Sequence, residues 1–153
     1  MITTWLPRRP VVYLFFFVSW LVTLWFLSAG NPAPKNGPEI PHVDKVAHFV
    51  YFAIGGGLMM AYAYYRWPLW RRFRLRMVMV VFLLSSVIGR LDEYHQTFTP
   101  GRSGNDTGDW IADSLGGLFG ASVMVMVLLP GLERRKRDSD KPRKSQIVAN
   151  SLD

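Results

Sequence analysis

Four stretches of the chain are almost free of charge: Val11 to Ala29, Val46 to Tyr65, Leu75 to Gly89 and Ile111 to Leu129. Each approaches the roughly 20 residues that a helix needs to cross about 30 Å of hydrocarbon. The third reaches that length only if its helix continues through Arg90 and Leu91. A buried helix of a water-soluble protein can be as apolar, but four of them in 153 residues leave too few amphipathic partners to cover them. The pattern therefore predicts an all-α, polytopic membrane protein with four transmembrane helices in one domain, residues 1–132. A basic tail, residues 133–153, lacks apolar periodicity and is read as disordered.

The gaps between the stretches differ in kind. Asn31 to Val43 carries Pro32, Pro34, Gly37, Pro38 and Pro41, which predicts an ordered, non-helical connection that ends by presenting Asp44. Arg66 to Arg74 is short and basic, so the second and third helices are expected to form an antiparallel hairpin. Gln96 to Gly108 is too rich in turn formers for a helix and too polar for lipid.

Charge placement orients the spans. Of the eighteen Lys and Arg residues, fourteen lie before the first stretch, over 66–76 where the second stretch gives way to the third, or after the fourth. Only Lys35, Lys45, Arg90 and Arg102 fall on the other side. Basic residues are retained in the cytoplasm, which predicts an N-in/C-in protein of a bacterial inner (plasma) membrane. Trp5, Trp67 and Trp70 at the inner ends, and Trp25, Tyr94 and Trp110 near the outer ends, suit rings at headgroup depth. The net charge of +7 then needs no nucleic acid, because retention and anionic membrane lipid account for it. Without Cys there are no disulfides, thiol chemistry or Cys-based metal sites. Ser28-Ala29-Gly30 after the first stretch would suit cleavage of a signal peptide, but a 19-residue core rich in Phe and Trp exceeds the usual 7 to 15 residues.

At the predicted outer ends of the second, third and fourth helices, ionisable residues gather at one depth. They are Asp44 and His48, then Asp92, Glu93, His95 and Gln96, then Asp109 and Asp113. Asp44 with His48, Glu93 with Gln96 or Thr97, and Asp109 with Asp113 each share a helical face, and the three faces can enclose a pocket. Asp44 and Asp109 stand at helix starts and can equally be caps. Capping does not account for Asp113 or His48, one turn inside their spans, where a polar side chain needs a partner or a water-filled cavity. Glu93 lies near a helix C-terminus, where the dipole disfavours an anion, so Arg90, Arg102 or His48 is expected beside it. Asp92 and His95 need not face inward if Glu93 and Gln96 do, and are read as solvent-exposed. Gly55-Gly56-Gly57 and Gly116, Gly117 and Gly120 predict close helix packing.

These residues resemble the VanZ-like family of membrane proteins. The resemblance rests on Asp44-Lys45-Val46-Ala47-His48, Glu93-Tyr94-His95-Gln96, Pro100-Gly101-Arg102, Asp109, and Asp113 followed by Gly116 and Gly120, in order over residues 42–121. Asp113 departs from the pattern, which often has Asn there, and adds a negative charge that a proton or metal would compensate. Gly104-Asn105-Asp106 blurs whether Asp106 or Asp109 is the family's Asp. Asp109 is preferred because it stands four residues before Asp113. The resemblance implies an envelope role, with some members linked to resistance to glycopeptide antibiotics of the teicoplanin type, and no particular reaction.

Two readings follow. In the first, the pocket binds a membrane lipid or lipid-linked envelope precursor through Asp44, His48, Glu93, Gln96, Arg102, Asp109 and Asp113, with Arg102 and Lys45 as anion contacts. In the second, His48, Glu93, Asp109 and Asp113 hold a divalent metal or act as acid and base on a phosphorylated lipid. Ion-coupled transport lacks support, because the inner halves of the spans have no matching polar residues.

Overall fold

The computed structural model describes residues 9–30, 42–102, 104–131, 133 and 134. The chain is all-helical, with four main helices. α1 (Pro10–Ser28) begins on Pro10, whose fixed φ suits the first helical position. α2 (Val43–Arg66) runs into a 3₁₀ turn, Pro68–Phe73, and α3 (Arg74–Gln96) follows directly. α4 (Thr107–Val123) continues through a wide π turn, Met124–Leu128, to Gly131, the last described residue of the run. Leu129 alone separates the wide turn from Pro130, a residue with no N–H to give to an ordinary helical bond. Most of the connection 31–43 and the tail from 135 lie outside the described residues, as do Trp5 and Arg8.

Pro10–Ser28, Val43–Arg66 and Thr107–Gly131 are long and apolar enough to cross a membrane. α3 does continue through Arg90 and Leu91, and its 23 residues span about 35 Å. It is not apolar by composition, because Arg74 and Arg76 open it while Arg90, Asp92 and Glu93 stand near its end. Asp92 and Glu93, however, are buried within the bundle. The outward surface of α3 is Val80, Leu83, Leu84, Val87 and Leu91, all exposed. The same holds on Phe15, Phe16, Val22 and Phe26 of α1, on Val46, Val50 and Ile54 of α2, and on Ile111, Leu115, Phe119, Met126 and Val127 of α4. An apolar surface on every helix is a liability in water and the rule in lipid.

α2 is the central helix, and its chief partner is α4. Hairpin contact with α3 is slighter than the short connection suggests. The α2–α4 approach is backbone on backbone: a Cβ on Gly120 would overlap the Ala53 carbonyl, one on Gly116 the Phe49 carbonyl, and one on Gly56 the Gly117 carbonyl. α1 docks on α2 through a reciprocal pair, Trp20 Nε1 donating to Tyr51 O at 3.0 Å and Tyr51 Oη donating to Trp20 O at 2.9 Å. Gly55 makes room for that indole.

The interior is divided along its length. Near the basic connection the core is Met59, Met60, Tyr64, Met77, Val78, Val81, Ala121, Val125 and Leu129. Tyr64 donates from its hydroxyl to Glu133, and Arg71 lies over the Tyr64 ring. The other end of the bundle is polar.

Candidate functional site

At the polar end, chain order and helix phase bring together acids and bases from α2, α3 and α4. α2 begins after His42, which takes a left-handed φ of 62°, and its first turns present Asp44, Lys45 and His48. Between α3 and α4 the chain turns through Gly101 (φ 83°) and Asn105 (φ 69°). Gly104 lies so close to the end of α3 that a Cβ would meet Thr97 N and Glu93 O. Asp106 then caps α4, its Oδ1 accepting from Gly108 N at 2.7 Å. The cap is thus Asp106, whereas Asp109 sits in the first turn with its side chain turned inward.

Lys45 gathers the acids nearest the surface. Its ammonium lies 3.0 Å from Asp106 Oδ2, 3.0 Å from Asp109 Oδ1 and 3.2 Å from Asp44 Oδ2. This corrects the expectation of Lys45 as a free anion contact, since three carboxylates already occupy it. The Lys45 ammonium beside Asp106 holds that carboxyl below the usual carboxylate range. Both aspartates of the ambiguous motif are therefore used, one as a cap and both as Lys45 partners.

One turn deeper, His48 Nδ1 lies 2.9 Å from Asp113 Oδ1, and His48 Nε2 lies 3.9 Å from Asp109 Oδ2. Asp113 is 0% exposed. Glu93 is also 0% exposed, and one of its oxygens, Oε2, accepts from a backbone donor, Asp106 N, at 2.6 Å. No Arg among the described residues pairs with it, but His48, the third of the cations expected there, has a ring nitrogen within 4.8 Å of a Glu93 carboxylate oxygen. The loop adds a peptide N–H to the same carboxylate.

Asp92 corrects the reading of it as solvent-exposed, being 6% exposed. Gln96 Nε2 donates to Asp92 Oδ2 at 2.8 Å, and Arg102 Nη2 donates to Gln96 Oε1 at 2.6 Å. The i, i+4 spacing of Asp92 and Gln96 is the signal in the sequence that could have found this pair. His95 is not free either: Nδ1 lies 3.0 Å from Ser28 Oγ and its ring stacks on Trp25. With Thr99 Oγ1 donating to Ser28 O and Arg102 Nη1 to Gly30 O, these contacts tie the end of α1 to α3 and its loop.

A cleft of about 290 Å³ opens among these groups, lined by Leu24, Leu27 and Ser28 of α1, Asp44, Ala47, His48, Tyr51 and Phe52 of α2, and Asp92, Gln96 and Arg102. It lies between α1, α2 and α3. The expected pocket between α2, α3 and α4 is instead filled by Lys45, Glu93, Asp109 and Asp113 themselves. Of the seven candidate binding residues, Asp44, His48, Gln96 and Arg102 reach the cleft, while Glu93, Asp109 and Asp113 stand behind it.

The profile of the family described as VanZ/LLP1 matches residues 6–129. The chain belongs to the VanZ/LLP1 family. Neither a curated protein nor a solved structure matches it. The separated elements of the VanZ-like pattern are joined to one another in space: Lys45 to Asp109, His48 to Asp113, and Arg102 to Gln96. Gly116 and Gly120 let α2 and α4 approach until the second of these pairs closes. Together with its apolar helices, the family marks this chain as a VanZ-like membrane protein.

Proposed function

We propose that this VanZ-like protein crosses a bacterial inner membrane four times, termini inside, and binds the phosphorylated headgroup of a lipid or lipid-linked envelope precursor in the cleft on its outer face. The orientation follows from the basic residues of 66–76, which stand at the end opposite the cleft, and from the basic sequence that follows α4. The fourth crossing is α3, whose acids turn inward and whose exposed face is apolar.

The observation that carries the binding reading is the state of Arg102. Two oxygens, Oε1 of the Gln96 side-chain amide and the backbone O of Gly30, hold its guanidinium at the cleft, and no carboxylate among the described residues lies within ion-pair distance. A fixed planar cation with donors to spare suits phosphate. Around it the wall is split, with Leu24, Leu27 and Phe52 apolar and His48, Asp92 and Gln96 polar. A lipid at the boundary between headgroup and acyl chain has the same division.

Arg102→Ala and Arg102→Lys test this. Expected is at least a tenfold loss of a phosphorylated lipid from protein extracted in mild detergent, read by mass spectrometry, with partial retention in the Lys variant, where charge survives without the fork. Cells carrying Arg102→Ala are expected to change in susceptibility to teicoplanin-type glycopeptides. An unchanged lipid complement in Arg102→Ala, at normal expression, rejects the reading.

A further inference from the structure

The polar end holds more negative charge than its cations answer. Lys45 is taken by Asp44, Asp106 and Asp109, and Arg102 reaches Gln96, which leaves Asp92, Glu93 and Asp113 with His48. Glu93 and Asp113 are both fully buried, and each retains one carboxylate oxygen, Glu93 Oε1 and Asp113 Oδ2, with no hydrogen-bond partner. Two such orphaned oxygens in one interior are expensive unless something positive meets them. One donor atom from each of His48, Asp92 and Glu93 lies within 4.8 Å of the others. Asp92 keeps an oxygen beyond the one that accepts from Gln96, and Glu93 keeps Oε1 beyond the one that accepts from Asp106 N. The His48 ring is already held through Nδ1 by Asp113, which leaves Nε2 as the ring nitrogen open to a metal. A carboxylate on the far nitrogen is the usual support of a metal-binding histidine.

We propose that His48, Asp92 and Glu93 bind a divalent cation, with Asp113 as the positioning residue that orients His48. One imidazole with two carboxylates selects Zn²⁺ or Mn²⁺ over Ca²⁺, which takes oxygen alone. Three protein ligands leave coordination positions open, and His48 and Asp92 also line the cleft, so the ion faces whatever enters there. The second acid cluster, Asp44, Asp106 and Asp109, already has its cation in Lys45 and is no competitor.

The metal site does not rest on the headgroup reading. The full chain, purified in detergent on a tag without histidine and stripped with a chelator, is titrated with Zn²⁺ or Mn²⁺ alone and read by metal analysis and thermal unfolding. Expected is about one equivalent per chain with a rise in Tm. Glu93→Gln, which keeps the shape and removes the charge, abolishes saturable binding, and Asp113→Asn weakens it by about 10- to 100-fold. Glu133→Gln, at the other end of the bundle, binds as the parent does. No saturable binding by the stripped parent overturns the proposal, and so does a Glu93→Gln variant that binds like the parent. The parent titration decides the matter even if the Glu93→Gln variant fails to fold. Lipid retention by Arg102 is scored separately, so either reading can fail without the other.

Discussion

At the scale of the residue, Lys45 shows how a side chain can look like a ligand contact in sequence and prove to be a structural tie. Beside Asp44 it is one basic residue in a motif, but Asp106 and Asp109, more than sixty positions later, meet its ammonium at 3.0 Å. Replacing it with Met strands three acids, one of them nearly buried. Because Asp44 and Asp106 are partly exposed, the cost is set by Asp109 and comes to about 1–2 kcal/mol at neutral pH. The pH dependence has a definite sign. A carboxyl whose folded pKa is lowered stabilises the fold above its unfolded pKa, and that contribution disappears as pH falls through the lowered value. Thermal unfolding of Lys45→Met and the parent should therefore differ at pH 7 and converge in acid below the ordinary carboxylate range.

At the scale of the element, α2 and α4 determine whether the polar end assembles at all. Their separation is set by Gly116, Gly120 and Gly56, and His48 can reach Asp113 only because the two backbones touch. Gly120→Leu should push them apart at the cost of at least about 3 kcal/mol, with loss of the monodisperse species on gel filtration. Gly131→Ala, with open space around it, should leave both readouts unchanged. Much of this assembly is legible in sequence, because small residues at i, i+4 spacing point to close helix packing and polar residues inside apolar runs demand partners. His48, Glu93 and Asp113 stand out on that ground and are indeed brought together. Asp92 escapes sequence reasoning because a single inward face would satisfy the end of α3, whereas α1 on one side and α2 and α4 on the other cover two. The part of α1 in the cleft is mostly apolar and does not announce itself. The partner of Glu93 is equally hidden, since a loop N–H, unlike an Arg, leaves no trace in the sequence.

At the scale of the whole molecule, apolar and polar cores are stacked end to end. One half is closed by Met, Val and Leu side chains, and the other is tied by ions and opens as a cleft between α1 and α3. That division leaves no polar route through the bundle among the described residues, which argues against conduction and for action at one face. Headgroup binding from outside requires that this face be extracytoplasmic and that α3 cross the membrane despite the charges that exclude it on composition. Because the chain contains no Cys, single cysteines report sidedness without background. Asn105→Cys beside the cleft and Leu69→Cys in the basic connection, both at exposed positions, flank α3. In right-side-out membrane vesicles a membrane-impermeant maleimide should modify Asn105→Cys at once and Leu69→Cys only after the membrane is opened. Equal labelling of both before opening, or the reverse order, would contradict the proposed crossing.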